Sequence, residues 1–293
     1  MYYDALRTFV TLAEVKNFTK AAEILHISQP SVSLHIKNLE KEFQTKLFIR
    51  SPKSLKITPT GEILYGRAKQ IIHIYEQTKQ DILEHHHDVK GKLTIGASFT
   101  IGEYILPSFL VDFQAQYPNL KLEVVIGNTE EIVQSVRLFK VDIGLIEGQT
   151  NEKELLVEPF MDDELFIAAP KGHKLTGRKE ARIEDLHNQV WVTREEGSGT
   201  REYLEHVIRS NGLKVESFLT ISSNQGIKET LISGMEALSL LSLHVIERDL
   251  TNKVLSIIPL KDHTFKRKLS MVYSPAMKSK MNVAAFVEEL SKR

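Results

Sequence analysis

Apolar residues recur at helical spacing through most of the first 90 residues, whereas from Gly91 onward strand-like runs alternate with helical ones. A chain that changes period in this way is not expected to share one core from end to end. Glycine and proline usage changes at the same place: residues 1–90 hold two Gly and three Pro, the remainder 13 and six. Charge divides too, although the formal net charge is +0. Residues 1–60 carry nine Lys/Arg against five Asp/Glu, and residues 91–293 carry 25 against 28. The prediction is a basic head on a mildly acidic body.

In the head, Leu6, Phe9, Val10 and Ala13 share one helical face, and Lys16-Asn17-Phe18 interrupts it. Thr19 is the expected cap of a second short helix that packs through Ala21, Ala22, Ile24 and Leu25. After a turn at His26-Ile27-Ser28, Ser28 or Gln29 caps a third helix with Pro30 in its first turn, where a missing N–H costs nothing. Val32, Ile36, Leu39 and Phe43 form its expected buried stripe; Ser31, Ser33, His35, Lys37 and Asn38 face outward. Two short helices joined by a tight turn are a helix-turn-helix. "LFIRSPKSLKIT" then reads as a two-stranded wing. Beyond Pro59-Thr60-Gly61, a long helix places Leu64, Ala68, Ile71, Tyr75, Thr78 and Ile82 at alternating spacings of 4 and 3. That is a coiled-coil seam, and Leu64, Ala68, Ile71, Tyr75 and Ile82 are expected to pair two copies; packing onto the helix's own domain is the alternative.

Strands are expected at residues 92–97, 120–127, 141–148, 189–194, 217–222 and 237–242, with helices between them. Such alternation implies a parallel sheet covered by helices on both faces. The chain divides into residues 1–58 (winged head), 59–90 (linker helix and hinge) and 91–293, the last as two α/β halves. Residues 91–160 with 266–293 form one half and 161–265 the other, and the crevice between them is the default ligand site.

Several function classes drop out. With no cysteine there are no disulfides or thiolate metal sites. His85-His86-His87 diverge by ~100° per residue on a helix, so they read as a solvated hinge, and no metal or cofactor is expected. The longest apolar stretch, Ala237 to Ile246, is broken by Ser239, Ser242 and His244, well short of the ~20 residues of a membrane span. MYYDALRTFV lacks a secretory leader, so a cytoplasmic protein is expected. Gly197-Ser198-Gly199 is no nucleophile elbow, and no phosphate loop or dinucleotide fingerprint occurs. The chain is not expected to be an enzyme.

Two constellations remain. Gln29, Ser31, Ser33 and His35 offer donors and acceptors at the start of the third helix, where base edges are read. Lys37, Lys41, Lys46, Arg50, Lys53 and Lys56 are placed to neutralise phosphates. In the body, "TREEGSGTRE" (193–202) follows a strand and opens a helix, so N–H groups of Gly197, Ser198, Gly199 and Thr200 can form an anion site. "GASFTIG" (96–102) offers Ser98 and Thr100 at a second such turn. Arg194 and Arg201 add charge, or are neutralised by Glu195 and Glu196.

Residues 6–62 resemble the winged helix-turn-helix of LysR-type transcriptional regulators. Ala21-Ala22, Ser28-Gln29-Pro30-Ser31-Val32-Ser33, Ile36, Leu39-Glu40, Leu47-Phe48 and Thr58-Pro59-Thr60-Gly61 carry the likeness. It implies a winged head, a linker helix and a two-lobed α/β effector domain of periplasmic-binding-protein type. It also implies contact with double-stranded DNA by Gln29, Pro30, Ser31, Ser33 and Leu34, with Arg50 and Lys53 on the backbone. Many members carry Arg where this chain has Leu34, so a thymine methyl replaces guanine as the expected contact there. Homodimers joined through the linker helix, and homotetramers, are implied as well. Effectors of this family bind between the lobes, which makes Ser98, Thr100, Thr129, Thr193, Ser198, Thr200, Ser222 and Asn224 the pocket candidates. The "EEGSGTRE" stretch is similar to the branch containing regulators of sulfur assimilation and carbon dioxide fixation, which implies a small, anionic metabolite; the acidic pair leaves room for an amino-bearing one such as an acylated serine. The opposing reading is a solute-binding or catalytic α/β protein whose N-terminal helices only dimerise it.

Overall fold

The computed structural model describes residues 2–51, 54–83 and 89–293, and the chain forms two units, Met1–His87 and Asp88–Arg293. Lys53 and His85-His86-His87 lie outside the described residues, as does the side chain of Arg50.

The first unit runs α1 (Tyr2–Val15), α2 (Phe18–Leu25), α3 (Gln29–Glu42), β1 (Phe48–Ser51), β2 (Ser54–Ile57) and α4 (Pro59–Leu83). Leu6, Phe9, Leu12, Ala21, Val32, Ile36, Leu39, Leu47 and Phe48 close one core, in which each large side chain contributes about 1.5–3 kcal/mol of burial. Asn17, not Thr19, caps α2, accepting from the backbone N–H of Lys20 at 3.0 Å. Ile24 and Phe43 are exposed rather than packed. Phe43 is already the C-cap of α3, where the helical stripe has run out. Ser28 caps α3 as expected, accepting from Ser31 N–H at 3.2 Å. β1 and β2 pair antiparallel from Phe48–Ile57 to Ser51–Ser54.

The Thr58-Pro59-Thr60-Gly61 run fastens α4 to this core. The Thr58 hydroxyl donates to the Lys46 carbonyl at 2.7 Å and accepts from Gly61 N–H at 2.9 Å. A Cβ on Gly61 would stand 2.5 Å from the Leu47 carbonyl oxygen, so only glycine allows this approach. Glu40 closes the other side: its carboxylate accepts from Leu47 N–H at 3.0 Å and from Lys46 Nζ at 2.9 Å.

The second unit begins with β3 (Gly91–Ser98), α5 (Leu106–Gln116), β4 (Leu120–Gly127), α6 (Thr129–Arg137), β5 (Ile143–Glu147) and β6 (Leu156–Pro170). It continues with β7 (Gln189–Thr193), α7 (Gly199–Ser210), β8 (Val215–Thr220), α8 (Asn224–Ile232), β9 (Ser239–Ser242), α9 (Leu243–Thr251), β10 (Leu255–Ile257), β11 (Phe265–Tyr273) and α10 (Met281–Leu290). β3 lies parallel to β4 and β5. β11 inserts antiparallel between β5 and β6, and β9 and β10 pair antiparallel with the far end of β6. The sheet is therefore mixed, not parallel as expected. β6 and β11 hide from sequence reading because Pro159 and Asp162-Asp163-Glu164 interrupt one, and alternating Lys and Arg the other. β7 and β8 form a separate parallel pair that meets Leu238, just before β9, through Trp191.

Hydrophobic clusters divide between two α/β halves. Leu93, Ile95, Phe109, Phe113, Leu145, Met271 and Phe286 anchor one; Leu165, Ile167, Trp191, Leu204, Leu238 and Leu240 anchor the other. β6 and β11 run through both. Residues 160 and 161, where the two halves were expected to part, are consecutive members of β6. β4 is an edge strand with Val124, Val125 and Ile126 all exposed, and β8 exposes Phe218 and Leu219.

Candidate functional site

In the head, Gln29 and Pro30 are exposed at the start of α3, with Ser31 and Ser33 half-buried beside them. Gln29 Nε2 donates to Ser33 Oγ at 3.1 Å, which sets two polar readers side by side. Leu34 is 56 % exposed on the same helix, an apolar surface of the kind that meets a thymine methyl. Lys37, Lys41 and Lys56 are exposed. Thr8 donates its hydroxyl hydrogen to the Asp4 carbonyl at 2.8 Å, so its oxygen accepts from His35 Nδ1–H, also at 2.8 Å. His35 therefore ties α3 to α1 and is half-buried, like Ser31 and Ser33.

The α4 seam divides. Leu64 and Ala68 are buried in the head's own core, so they do not offer a surface to a second chain. Ile71, Tyr75 and Ile82 are exposed, as are Ile63 and Ile74. Tyr75 stacks on Tyr3 with ring centroids 4.4 Å apart, and Glu14 accepts from both Tyr65 and Lys69, fixing α1 against α4.

In the second unit, Ser98, Thr100, Thr129, Thr193, Ser198, Thr200 and Asn224 are all buried. Ser222 is exposed, and its neighbour Ser223 makes the cap of α8, accepting from Gly226 N–H. The Glu147 carboxylate stands beside the N-terminus of α7, where it engages a side chain of the first turn. Thr200 donates its hydroxyl to Glu147 Oε2 at 2.8 Å, and Thr100 N–H donates to Oε1 at 3.2 Å. A Cβ on Gly199 would lie 2.5 Å from the Glu147 carbonyl oxygen, so glycine is required for α7 to come this close. Arg267 donates from Nη1 to Glu147 Oε2 at 2.8 Å and from Nε to Asp163 Oδ2 at 2.8 Å, and Ser242 donates to Asp163 Oδ1 at 2.6 Å. Burial would push the Glu147 carboxyl up; the Arg267 charge, the Thr100 and Thr200 hydrogen bonds and the Arg194 charge outweigh it and hold it at about 2. Sequence reading missed this cluster. An acidic residue ending the wholly buried strand "IGLIE" was its one signal, and Arg267 lies 120 residues from its partner.

Arg194 is the second buried guanidinium. It donates from Nε and Nη2 to the two oxygens of Glu195, each at 2.8 Å, and from Nη1 to Asn224 Oδ1 at 3.3 Å. Its guanidinium lies 4.4 Å from the centroid of the Phe99 ring. Asn224 Nδ2 in turn donates to Thr100 Oγ1 at 3.4 Å. Of the two alternatives for Arg194, neutralisation by Glu195 is the one present, while Arg201 pairs with Glu205 at 2.8 Å. Two hydroxyls in this region, Ser98 Oγ and Thr129 Oγ1, are buried without a hydrogen-bond partner among the described residues. Beside Thr129 opens a cavity of about 500 Å3, lined by Thr129, Gln149 and Ser198 and by Glu130, Glu196 and Glu202.

A basic-faced winged head and an α/β unit with a polar crevice point to one protein class, and comparison with known families decides it. A model described as "Bacterial regulatory helix-turn-helix protein, lysR family" matches residues 3–62, and "LysR substrate binding domain" matches residues 86–293. The chain belongs to the LysR family of transcriptional regulators. Within that family it is 60 % identical over 290 residues to the HTH-type transcriptional regulator CysL of Bacillus subtilis (strain 168), covering 99 % of this chain and 97 % of CysL. It is 30 % identical to a probable RuBisCO transcriptional regulator of Synechocystis sp. (strain ATCC 27184 / PCC 6803 / Kazusa), covering 98 % and 85 %. A cysteine-to-aspartate variant of full-length OxyR from Pseudomonas aeruginosa shares the LysR fold with a TM-score of 0.76 at 23 % identity, over 100 % of this chain and 94 % of that one. The regulatory domain of CcmR from Synechocystis PCC6803, solved in complex with 2-PG, aligns with a TM-score of 0.65 at 25 % identity, over 69 % and 97 %. The LysR assignment replaces the opposing reading, in which the N-terminal helices merely dimerise the chain.

Proposed function

We propose that this LysR-type regulator binds promoter DNA through α3 and the wing, as a homodimer or homotetramer, under the control of a small anionic metabolite. Gln29, Pro30, Ser31, Ser33 and Leu34 contact bases and groove, while Lys37, Arg50, Lys53 and Lys56 neutralise phosphates. The exposed Ile71, Tyr75 and Ile82 join two linker helices, and the apolar edges at Val124–Ile126 and Phe218–Leu219 are surfaces for joining effector domains. The effector sits among Ser98, Thr100, Thr129, Thr193, Ser198, Thr200 and Asn224 and acts only through its different affinity for two arrangements of the halves. No chemistry on the effector is needed for that.

The observation that carries the effector site is the pair of buried hydroxyls of Ser98 and Thr129, without a partner among the described residues and belonging to two different strand-to-helix turns. A buried hydroxyl without a partner costs about 1–3 kcal/mol, and a bound oxygen-rich ligand removes that cost. CcmR bound to 2-PG supports an anionic class. One observation favours an acid that also bears an ammonium group: Glu130, Glu196 and Glu202 line the adjoining cavity. Thermal shift and calorimetry of the full chain with sulfate, sulfite, phosphate, 2-PG and an acylated serine separate these readings. Stabilisation that is lost in Thr100→Ala and Thr129→Ala places the effector here. No shift with any probe, alongside intact DNA binding, removes the anionic reading and keeps the regulator.

A further inference from the structure

Two buried guanidinium groups stand near the candidate effector residues, and each is already bound by a carboxylate of the same chain. The two pairs are not equivalent. Glu147 is 2 % exposed and is held by Arg267, Thr100 N–H and the Thr200 hydroxyl together, so nothing from solvent can replace it without dismantling the strand ends that it joins. Among the described residues, Glu195 makes its side-chain hydrogen bonds to Arg194 alone, and its side chain is 22 % exposed against 1 % for Arg194. It opens the turn whose next residues, Glu196, Gly197 and Ser198, line the 500 Å3 cavity. Removing Glu195 from Arg194 therefore moves one partly solvated side chain toward open space.

What Glu195 would leave behind is a finished oxyanion site. The Arg194 guanidinium would present Nε and Nη2 as parallel donors, the geometry that carboxylates, sulfur oxyanions and phosphates accept in bidentate fashion. Its position is fixed from the remaining sides, by Asn224 Oδ1 on Nη1 and by the Phe99 ring against its face. Phe99 lies between Ser98, whose buried hydroxyl has no partner among the described residues, and Thr100, whose hydroxyl oxygen is already engaged by Asn224.

We infer that Arg194 is the anion-binding residue of this regulator and that Glu195 is its built-in surrogate ligand: the effector's oxyanion binds by exchange with the Glu195 carboxylate. The inference rests on the effector reading above and adds to it the recognition group and a built-in competitor. The ligand class is a small carboxylate or tetrahedral oxyanion. Because the chain's own carboxylate competes, wild-type affinity is lower than the site alone would give. With Glu195 displaced, the backbone of the turn keeps its bonds: Ser198 N–H still donates to the Glu195 carbonyl at 3.3 Å, and the Gly197 carbonyl still accepts from Glu130 N–H at 3.1 Å.

Calorimetric titration of the full chain with sulfate, sulfite, phosphate and 2-PG tests this. Glu195→Gln, which keeps the shape and loses the charge, is expected to tighten binding of whichever probe the wild type binds by about tenfold, and Arg194→Gln to abolish it. Glu195→Ala supplies a readout that does not depend on Arg194 variants folding. It leaves a buried guanidinium without its anion, so its Tm falls in anion-free buffer and recovers on adding the probe by more than the wild type gains. A wild type that binds a probe with a Kd unchanged within twofold in Glu195→Gln overturns the inference and leaves the effector reading standing. Silence from wild type and Glu195→Gln alike overturns both.

Discussion

Glu147 and Glu195 are both carboxylates held by guanidinium groups, and burial separates what they do. Glu147 has lost its water and is compensated by fixed charge and hydrogen bonds, which is why its carboxyl stays ionised down to about 2 from an ordinary 4.5. A group whose folded pKa is depressed stabilises the fold fully above the unfolded value and progressively less as pH falls toward the folded one. Stability of the effector unit is therefore expected to decline between pH 4.5 and 2 by about 3 kcal/mol from this group. Urea unfolding across that range checks it: Glu147→Gln is less stable near neutrality by ~3–5 kcal/mol, because the buried Arg267 loses one of its two carboxylate partners, and shows a flatter pH dependence. Equal slopes in the two proteins would mean that Glu147 is not the titrating group. The difference between the two glutamates was not legible in sequence: Glu195 was offered as a neutraliser of Arg194, and Glu147 was not singled out within its expected strand. Distance along the chain hid the rest: Arg267 and Asp163 meet Glu147 only through strand pairing of β5, β6 and β11.

At the scale of an element, α4 carries two surfaces under one heptad pattern. Leu64 and Ala68 continue the stripe that packs on α1, and the later members of the pattern point to solvent. Ile71→Asp with Ile82→Asp is expected to convert dimers to monomers with little change in Tm of the head. Leu64→Ala is expected to cost ~2–5 kcal/mol of stability without changing assembly at concentrations where the protein stays folded. Sedimentation and thermal melts of the two variants make the comparison; monomers from Leu64→Ala alone, or dimers that survive both aspartates, would refute the division. Periodicity predicted the helix, which runs Pro59–Leu83. It could not show where one surface ends and the other begins, since that depends on how far α1 extends beside α4. α3 was more fully legible: the Ser28 cap, Pro30 and the Val32–Ile36–Leu39 stripe are local features. The His35–Thr8 contact was not legible locally, because Thr8 sits on another helix. The mixed sheet was misread because periodicity reports strands and not their direction.

For the whole molecule, zero net charge with a basic head predicts that salt acts on DNA binding locally. The logarithm of the DNA association constant should fall linearly with the logarithm of salt concentration, and Lys56→Ala should reduce that slope by about 1 while weakening all sequences alike. Ser33→Ala should instead leave the slope and relax sequence preference, at ~1–3 kcal/mol for the preferred site. Fluorescence anisotropy with operator and scrambled duplexes distinguishes the two. If both variants behave as wild type, α3 and the wing do not form the DNA interface.

The interleaving of the two halves also bears on synthesis. Val283, Phe286 and Leu290 of α10 sit in the same core as Leu93, Ile95 and Phe113, so the half that leaves the ribosome first is completed last. Until β11 and α10 emerge, β3, β4 and β5 expose an unfinished apolar face, with Val124, Val125 and Ile126 along its open edge. The head, whose core closes within Met1–His87, has no such wait. A nascent chain therefore carries a finished head ahead of a body whose first half still exposes apolar surface, the condition that favours aggregation. Loss of the last helix alone should leave the first half unable to fold.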